Sequence, residues 1–198
     1  YKKIQKSYKI ISPLRAKYPN LVLDCNSVFT ASSEIYLLDA LKTIDKDFKF
    51  DNMSVTYARG TVKDESLKNV SKNRYIEINN FLEEREKNKE KRLLYPLWRG
   101  VNSVSRENLM RTVFDEEFVT SCVAGRKLLV VSETGEVQPC EILGKSIGNL
   151  RNHDWDLKKL LKENSVNKMQ KWIKETKCKC SFECALAANV VWKPKNYP

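Results

Sequence analysis

Five of the six cysteines in this chain fall between Cys122 and Cys184, and three of those five occupy the short run CKCSFEC at 178–184. A lone cysteine is usually a small buried apolar residue; a cluster this dense constrains the fold much more tightly. Cys122 and Cys140 flank two apolar stretches, KLLVVS and EVQPC, joined by ETGE. Gly135 in that turn supplies the positive φ a tight hairpin requires. A hairpin returns its two feet to one place, so these sequence-distant thiols become neighbours. Cys180 and Cys184 are one helical turn apart, and Cys178 lies on the same side as Cys180 if that stretch is extended. Folding the tail onto the hairpin feet gathers five thiols around one point. A site of thiolates alone selects zinc or an iron–sulfur cluster. Structural zinc sites commonly use close Cys-x2-Cys pairs, and the chain contains none. A tight cluster suits a metal better than a disulfide framework, which implies a reducing, cytoplasmic setting.

The first half of the chain has a different grammar. Tyr1, Ile4, Tyr8 and Ile11 fall at helical spacing, and Pro13 should bend or end that helix. LVLDCNSVF (21–29) reads as a buried strand, with Cys25 packed inside it. SSEIYLLDALKTIDKDF (32–48) reads as a helix with a Ser cap and Ile35, Leu38, Leu41 and Phe48 facing inward. NMSVTYA (52–58) alternates Met53, Val55 and Tyr57 and reads as a second strand. Helix, strand, helix, strand is the pattern of an α/β sheet or barrel, whose chemistry sits at the C-terminal ends of its strands. Asn26 and Ser27 lie late in one strand, and Arg59 ends the other. Ser71 should cap a polar helix running to about Leu94, which Pro96, Trp98 and Gly100 break. A further helix, capped near Ser105, uses Leu109, Val113 and Phe118. After the hairpin, LGKSIGNL reads as a loop, and WDLKKLLKE and SVNKMQKWIKE as two short helices. The tail starts irregular and ends helical.

The net charge is +11, with 36 basic and 25 acidic residues. The charges are interspersed along the chain, as on a solvated surface, which argues against a nucleic-acid partner. No apolar run reaches the length of a membrane span. His153, the only histidine, lies in the polar turn RNHDWD, so chemistry needing two histidines is excluded. Asn149 reads as a residue that orders the loop after Gly148. Glu141, next to Cys140, reads equally as a contact near the cysteine site and as surface.

These residues carry a resemblance. Cys122-x12-Gly135-x4-Cys140, with CVAG at its start, PCE at the second cysteine and GNL at 148–150, resembles the SPASM/twitch extension of radical S-adenosylmethionine (SAM) enzymes. CKCSFECALAANV is similar to that family's closing cysteine run, and the pattern ending in YARG resembles the last units of its partial (β/α)6 barrel. The resemblance implies an α/β fold: C-terminal barrel units over 1–70, a helical bridge over 71–118, and a cysteine-rich α+β auxiliary-cluster domain over 119–198. It implies one auxiliary [4Fe-4S] cluster on Cys122, Cys140 and Cys184 with Cys180 or Cys178. It also implies contacts of Asn26, Ser27 and Arg59 with SAM or substrate.

The family's Cys-x3-Cys-x2-Cys is absent. The resemblance therefore implies that SAM and a second [4Fe-4S] cluster belong to an N-terminal half of the barrel, supplied in cis or in trans. The chain by itself is expected not to cleave SAM. The implied activity is oxidoreductase chemistry: radical modification of a peptide or a small molecule, with a flavodoxin or ferredoxin as reductant. Two other readings stay open, a basic zinc module recognising nucleic acid or protein, and a non-catalytic partner subunit that keeps the cluster.

Overall fold

The computed structural model describes residues 1–87, 95–179 and 181–193. Cys180 lies outside the described residues, as does the end of the long polar helix expected to reach Leu94. The chain divides into two compact units, 1–89 and 90–198. No helix among the described residues is long and apolar enough to cross a membrane.

In the first unit, α1 (Lys2–Ile11) passes into a 3-10 turn (Ser12–Ala16) with Pro13 in its first turn. β1 (Asp24–Phe29), α2 (Glu34–Asp47) and β2 (Asn52–Tyr57) follow, and β1 and β2 pair in parallel from Asp24↔Asn52 to Phe29↔Tyr57. This β-α-β unit is what the alternation of helix and strand patterns predicts. α3 (Lys72–Lys87) completes the unit, with Ser71 Oγ accepting from Arg74 N at 3.4 Å as its cap. The core joins Phe29, Met53 and Tyr57 of the strands with Leu37 and Leu41 of α2 and Tyr75, Ile78 and Leu82 of α3. The inward face of α2 is therefore Leu37–Leu41. Ile35, expected inside, is 63% exposed. Ser33 precedes α2 but does not cap it: its hydroxyl donates to Val28 O and accepts from Thr30 N, folding the strand-to-helix loop instead.

Burial alternates along β1, so its odd-numbered residues face the helices and Asp24, Asn26 and Val28 lie on an exposed face. That face is polar and cross-linked. Asn52 Nδ2 donates to Asp24 Oδ1 at 2.8 Å, and Asn26 Oδ1 accepts from Ser54 Oγ at 3.1 Å and Thr56 Oγ1 at 3.0 Å.

The second unit begins with α4 (Tyr95–Val113). Pro96, Trp98 and Gly100, which read as the end of the preceding helix, lie inside this one. Proline is tolerated in a first helical turn, where its missing N–H would have had no partner. Ser105 is likewise interior, its hydroxyl donating to Val101 O at 2.7 Å. Phe118 lies beyond the helix end and is exposed. The expected bridge over 71–118 is thus divided, α3 belonging to the first unit and α4 to the second.

A three-stranded antiparallel meander follows: β3 (Val130–Val131), β4 (Glu136–Gln138) and β5 (Gly148–Asn149) in the order β3-β4-β5. β5 lies in LGKSIGNL, which reads from sequence as a loop; two paired residues leave no periodicity to detect. Asn149 orders this corner. Its Oδ1 accepts from Arg151 N at 2.9 Å and its Nδ2 donates to Thr134 O at 3.2 Å. Val137, Ile147 and Leu150 of the meander pack with Leu160 of α5 (Leu157–Leu160) and Val166 of α6 (Asn164–Glu175). α7 (Glu183–Val191) is the last element of the described chain and packs on α4.

Candidate metal centre

The hairpin closes as its sequence dictates. Ser132 N donates to Glu136 O at 2.9 Å, Gly135 N to Ser132 O at 3.0 Å, and Gly135 has φ +82°. At the open end a second tie joins the feet. Gly125 N donates to Leu128 O at 2.9 Å and to Pro139 O at 3.3 Å, which draws the Cys122 loop towards the residue before Cys140. Gly125 adopts φ +74°, and a Cβ there would lie 3.4 Å from that of Pro139, so glycine serves both the turn and the close approach. Gln170 of α6 secures the loop from outside, donating from Nε2 to Gly125 O at 2.7 Å.

Cys122 and Cys140 are both buried, 8% and 4% exposed, in one apolar cluster with Ala124, Ile173, Phe182 and Ala185. Cys178 is half-buried and packs against the same cluster. The end of α6 brings it there. Lys177 takes the left-handed conformation (φ +48°) and Cys178 N donates back to Ile173 O at 3.1 Å, so the chain reverses onto the helix it has just left. Cys184 sits in the first turn of α7 and is exposed. The structure therefore brings together Cys122 and Cys140, sets Cys178 at their edge, and leaves Cys184 outside that apolar cluster. Among the described residues no group of three or more His, Cys, Asp or Glu side chains is close enough together to hold a metal ion.

The donor chemistry suits a thiophilic centre. The buried pair offers soft sulfur in an apolar shell, and Ala124 N points at Cys122 Sγ at 3.4 Å, as hydrogen bonds to metal-bound sulfur do. Burial pushes the Cys122 thiol above its ordinary pKa, and the nearby Lys193 and Arg126 charges partly oppose that shift. Arg126 Nη2 also donates to Cys122 O at 3.3 Å. Cys122 and Cys140 could supply two thiolates of such a centre, with Cys178, Cys184 and Cys180 the remaining thiols of the chain's second half. A comparison with protein-family models, curated proteins and solved structures finds no match.

The cofactor candidates in the first unit are placed by strand alternation. Asn26 faces the exposed polar side of the β1–β2 pair, and Ser27 faces the helices. Arg59 follows the end of β2 and is half-buried. The two strand residues thus point to opposite sides of the sheet. Glu141 is exposed, and His153 is half-buried at the end of a 3-10 turn (Leu150–His153).

Cys25 behaves as a packed strand residue. Burial raises its pKa, and burial raises that of Tyr57, whose hydroxyl donates to Lys68 O at 2.7 Å. Both groups hold their protons more tightly folded than unfolded. The Cys25 contribution is intact below the usual thiol value of 9.0 and that of Tyr57 below the usual phenol value of 10.0, and each is lost as pH rises beyond it. Thermal denaturation followed by circular dichroism should show Tm falling above the thiol value, with a shallower fall in Cys25→Ala. An unchanged slope would show that Cys25 does not contribute.

Sequence reasoning passed over Asn189, Lys193 and Gln170, which hold the Cys122 loop. One signal was available: Asn189 interrupts ALAANVVW, an otherwise apolar helical run.

Proposed function

We propose that this chain is the C-terminal portion of a radical SAM enzyme whose second unit carries an auxiliary [4Fe-4S] cluster. The single observation that carries this reading is the burial of Cys122 and Cys140, from opposite feet of one hairpin, in one apolar cluster with Cys178 at its edge. Cys122, Cys140 and Cys184 would hold the cluster, with Cys180 or Cys178 as the fourth ligand. When bound, such a cluster supplies a one-electron redox centre or an iron atom able to take a substrate ligand. The chain's own residues do the remaining work: the apolar shell excludes water, and the Ala124 N–H and the Arg126 and Lys193 charges offset thiolate charge beside Cys122.

The first unit supports the other half of the reading. Its parallel β-α-β unit has helices on one face and a polar, exposed face bearing Asn26 on the other, as the lumen side of an incomplete barrel would. SAM and the second [4Fe-4S] cluster belong to the remaining barrel units, in cis or in trans. The substrate is a peptide or a small molecule, the electron donor a flavodoxin or ferredoxin, and the compartment the reducing cytoplasm.

The test is elemental. After anaerobic purification and reconstitution with iron and sulfide, the full chain should hold about four iron and four sulfide per molecule, the content of one such cluster. Stoichiometric zinc without sulfide would replace this reading with a zinc module, and neither metal would overturn both.

A further inference from the structure

One helix grips the segment that carries Cys122. Asn189 of α7 is 3% exposed, and its Oδ1 accepts from Val123 N at 2.8 Å. Lys193, just past the same helix, donates from Nζ to Thr120 Oγ1, Ser121 O and Ser121 Oγ, each at 2.6 Å. All four bonds end within two residues of Cys122. α7 also carries Cys184 in its first turn and places Ala185 in the apolar cluster with Cys122 and Cys140. A buried asparagine in an apolar helix is costly unless its polar atoms are paired. Here it pairs a loop N–H that would otherwise be orphaned.

We propose that Asn189 and Lys193 form a clasp that holds the segment carrying Cys122 against α7, the helix that also bears Cys184. The purpose of the clasp rests on the metal-centre reading above, but its existence can be tested without metal. Asn189 is a positioning residue: it acts on Cys122 through the Val123 N–H.

The experiment uses the full chain, reduced and metal-free, pulsed with N-ethylmaleimide, with each cysteine quantified by peptide mass spectrometry. Asn189→Leu removes the acceptor and should raise Cys122 labelling about tenfold while Cys140 stays within about twofold, since one buried bond is lost and only its loop opens. Asn189→Asp keeps an acceptor and should restore protection. Unchanged Cys122 labelling, an equal rise at Cys122 and Cys140, or no rescue by aspartate would each overturn the clasp. In a second arm, the reconstituted variants are challenged with an iron chelator. Asn189→Leu should lose iron about tenfold faster than wild type, and equal rates would show that the clasp does not serve the centre. A wild-type chain that takes up no iron overturns the metal reading alone, and the labelling pattern still decides the clasp.

Discussion

Replacing Cys122 and Cys140 together by alanine should reduce the iron and sulfide content of the reconstituted protein to background. Both thiols are buried in one apolar cluster, so no water or surface carboxylate stands ready to replace them as ligands. Removing two of four thiolates leaves too few to retain a cluster of this type. Cys25→Ala, in the first unit, should keep the full load. The fold of the double variant can be followed separately: all four tryptophans lie at or beyond Trp98, so their fluorescence reports on the second unit alone. Native fluorescence with no iron is the expected result. A double variant that keeps its iron and its visible charge-transfer absorption would show that the hairpin feet are not the ligands. Single alanine variants at Cys178, Cys180 and Cys184 then show which of the late thiols complete the set.

The second large effect is expected at Gly148. This residue has φ +152°, in a region nearly closed to other residues, and a Cβ there would lie 3.2 and 3.3 Å from Leu160 Cδ1 and Cγ. Leu160 is fully buried with Val137, Ile147 and Val166, so it cannot move aside freely. Gly148→Ala combines backbone strain with overpacking, each worth about 1–3 kcal/mol, and should cost about 2–6 kcal/mol in all. Urea unfolding monitored by tryptophan fluorescence would measure it. Gly144→Ala is the control: glycine there has φ +57°, but nothing lies within 4 Å of the added carbon, so it should lose only the strain component. Equal losses at both positions would show that contact with Leu160 does not matter.

The parts of this molecule legible in the sequence are those where local chemistry and tertiary packing agree. The β-α-β unit of the first half follows from two β-branched runs around an amphipathic helix, and the 122–140 hairpin follows from ETGE between two apolar runs. α4 was misread because Pro96 and Gly100 look like breakers in a linear scan; their meaning depends on whether they start a helix or interrupt one. β5 was missed because two residues carry no period, and only pairing with β4 makes them a strand. The sequence pattern places the cysteines at the hairpin feet. The depth of Cys122 and Cys140, the reversal at Lys177 and the exposure of Cys184 depend on how α6 and α7 pack, which no spacing rule contains. Asn189 is the one polar residue in an apolar run, a signal the sequence reading passed over, and its partner, a loop N–H sixty-six residues earlier, is set by tertiary structure.

A parallel strand pair has no tight turn to set its alignment, because the two chains meet only after a long excursion through a helix. In the first unit a side chain performs that task. Asn26 Oδ1 engages Ser54 and Thr56 at once, two successive positions on one face of β2, and so acts as a pawl against sliding in either direction. Any further strand that joins this pair therefore meets a template already set to one alignment.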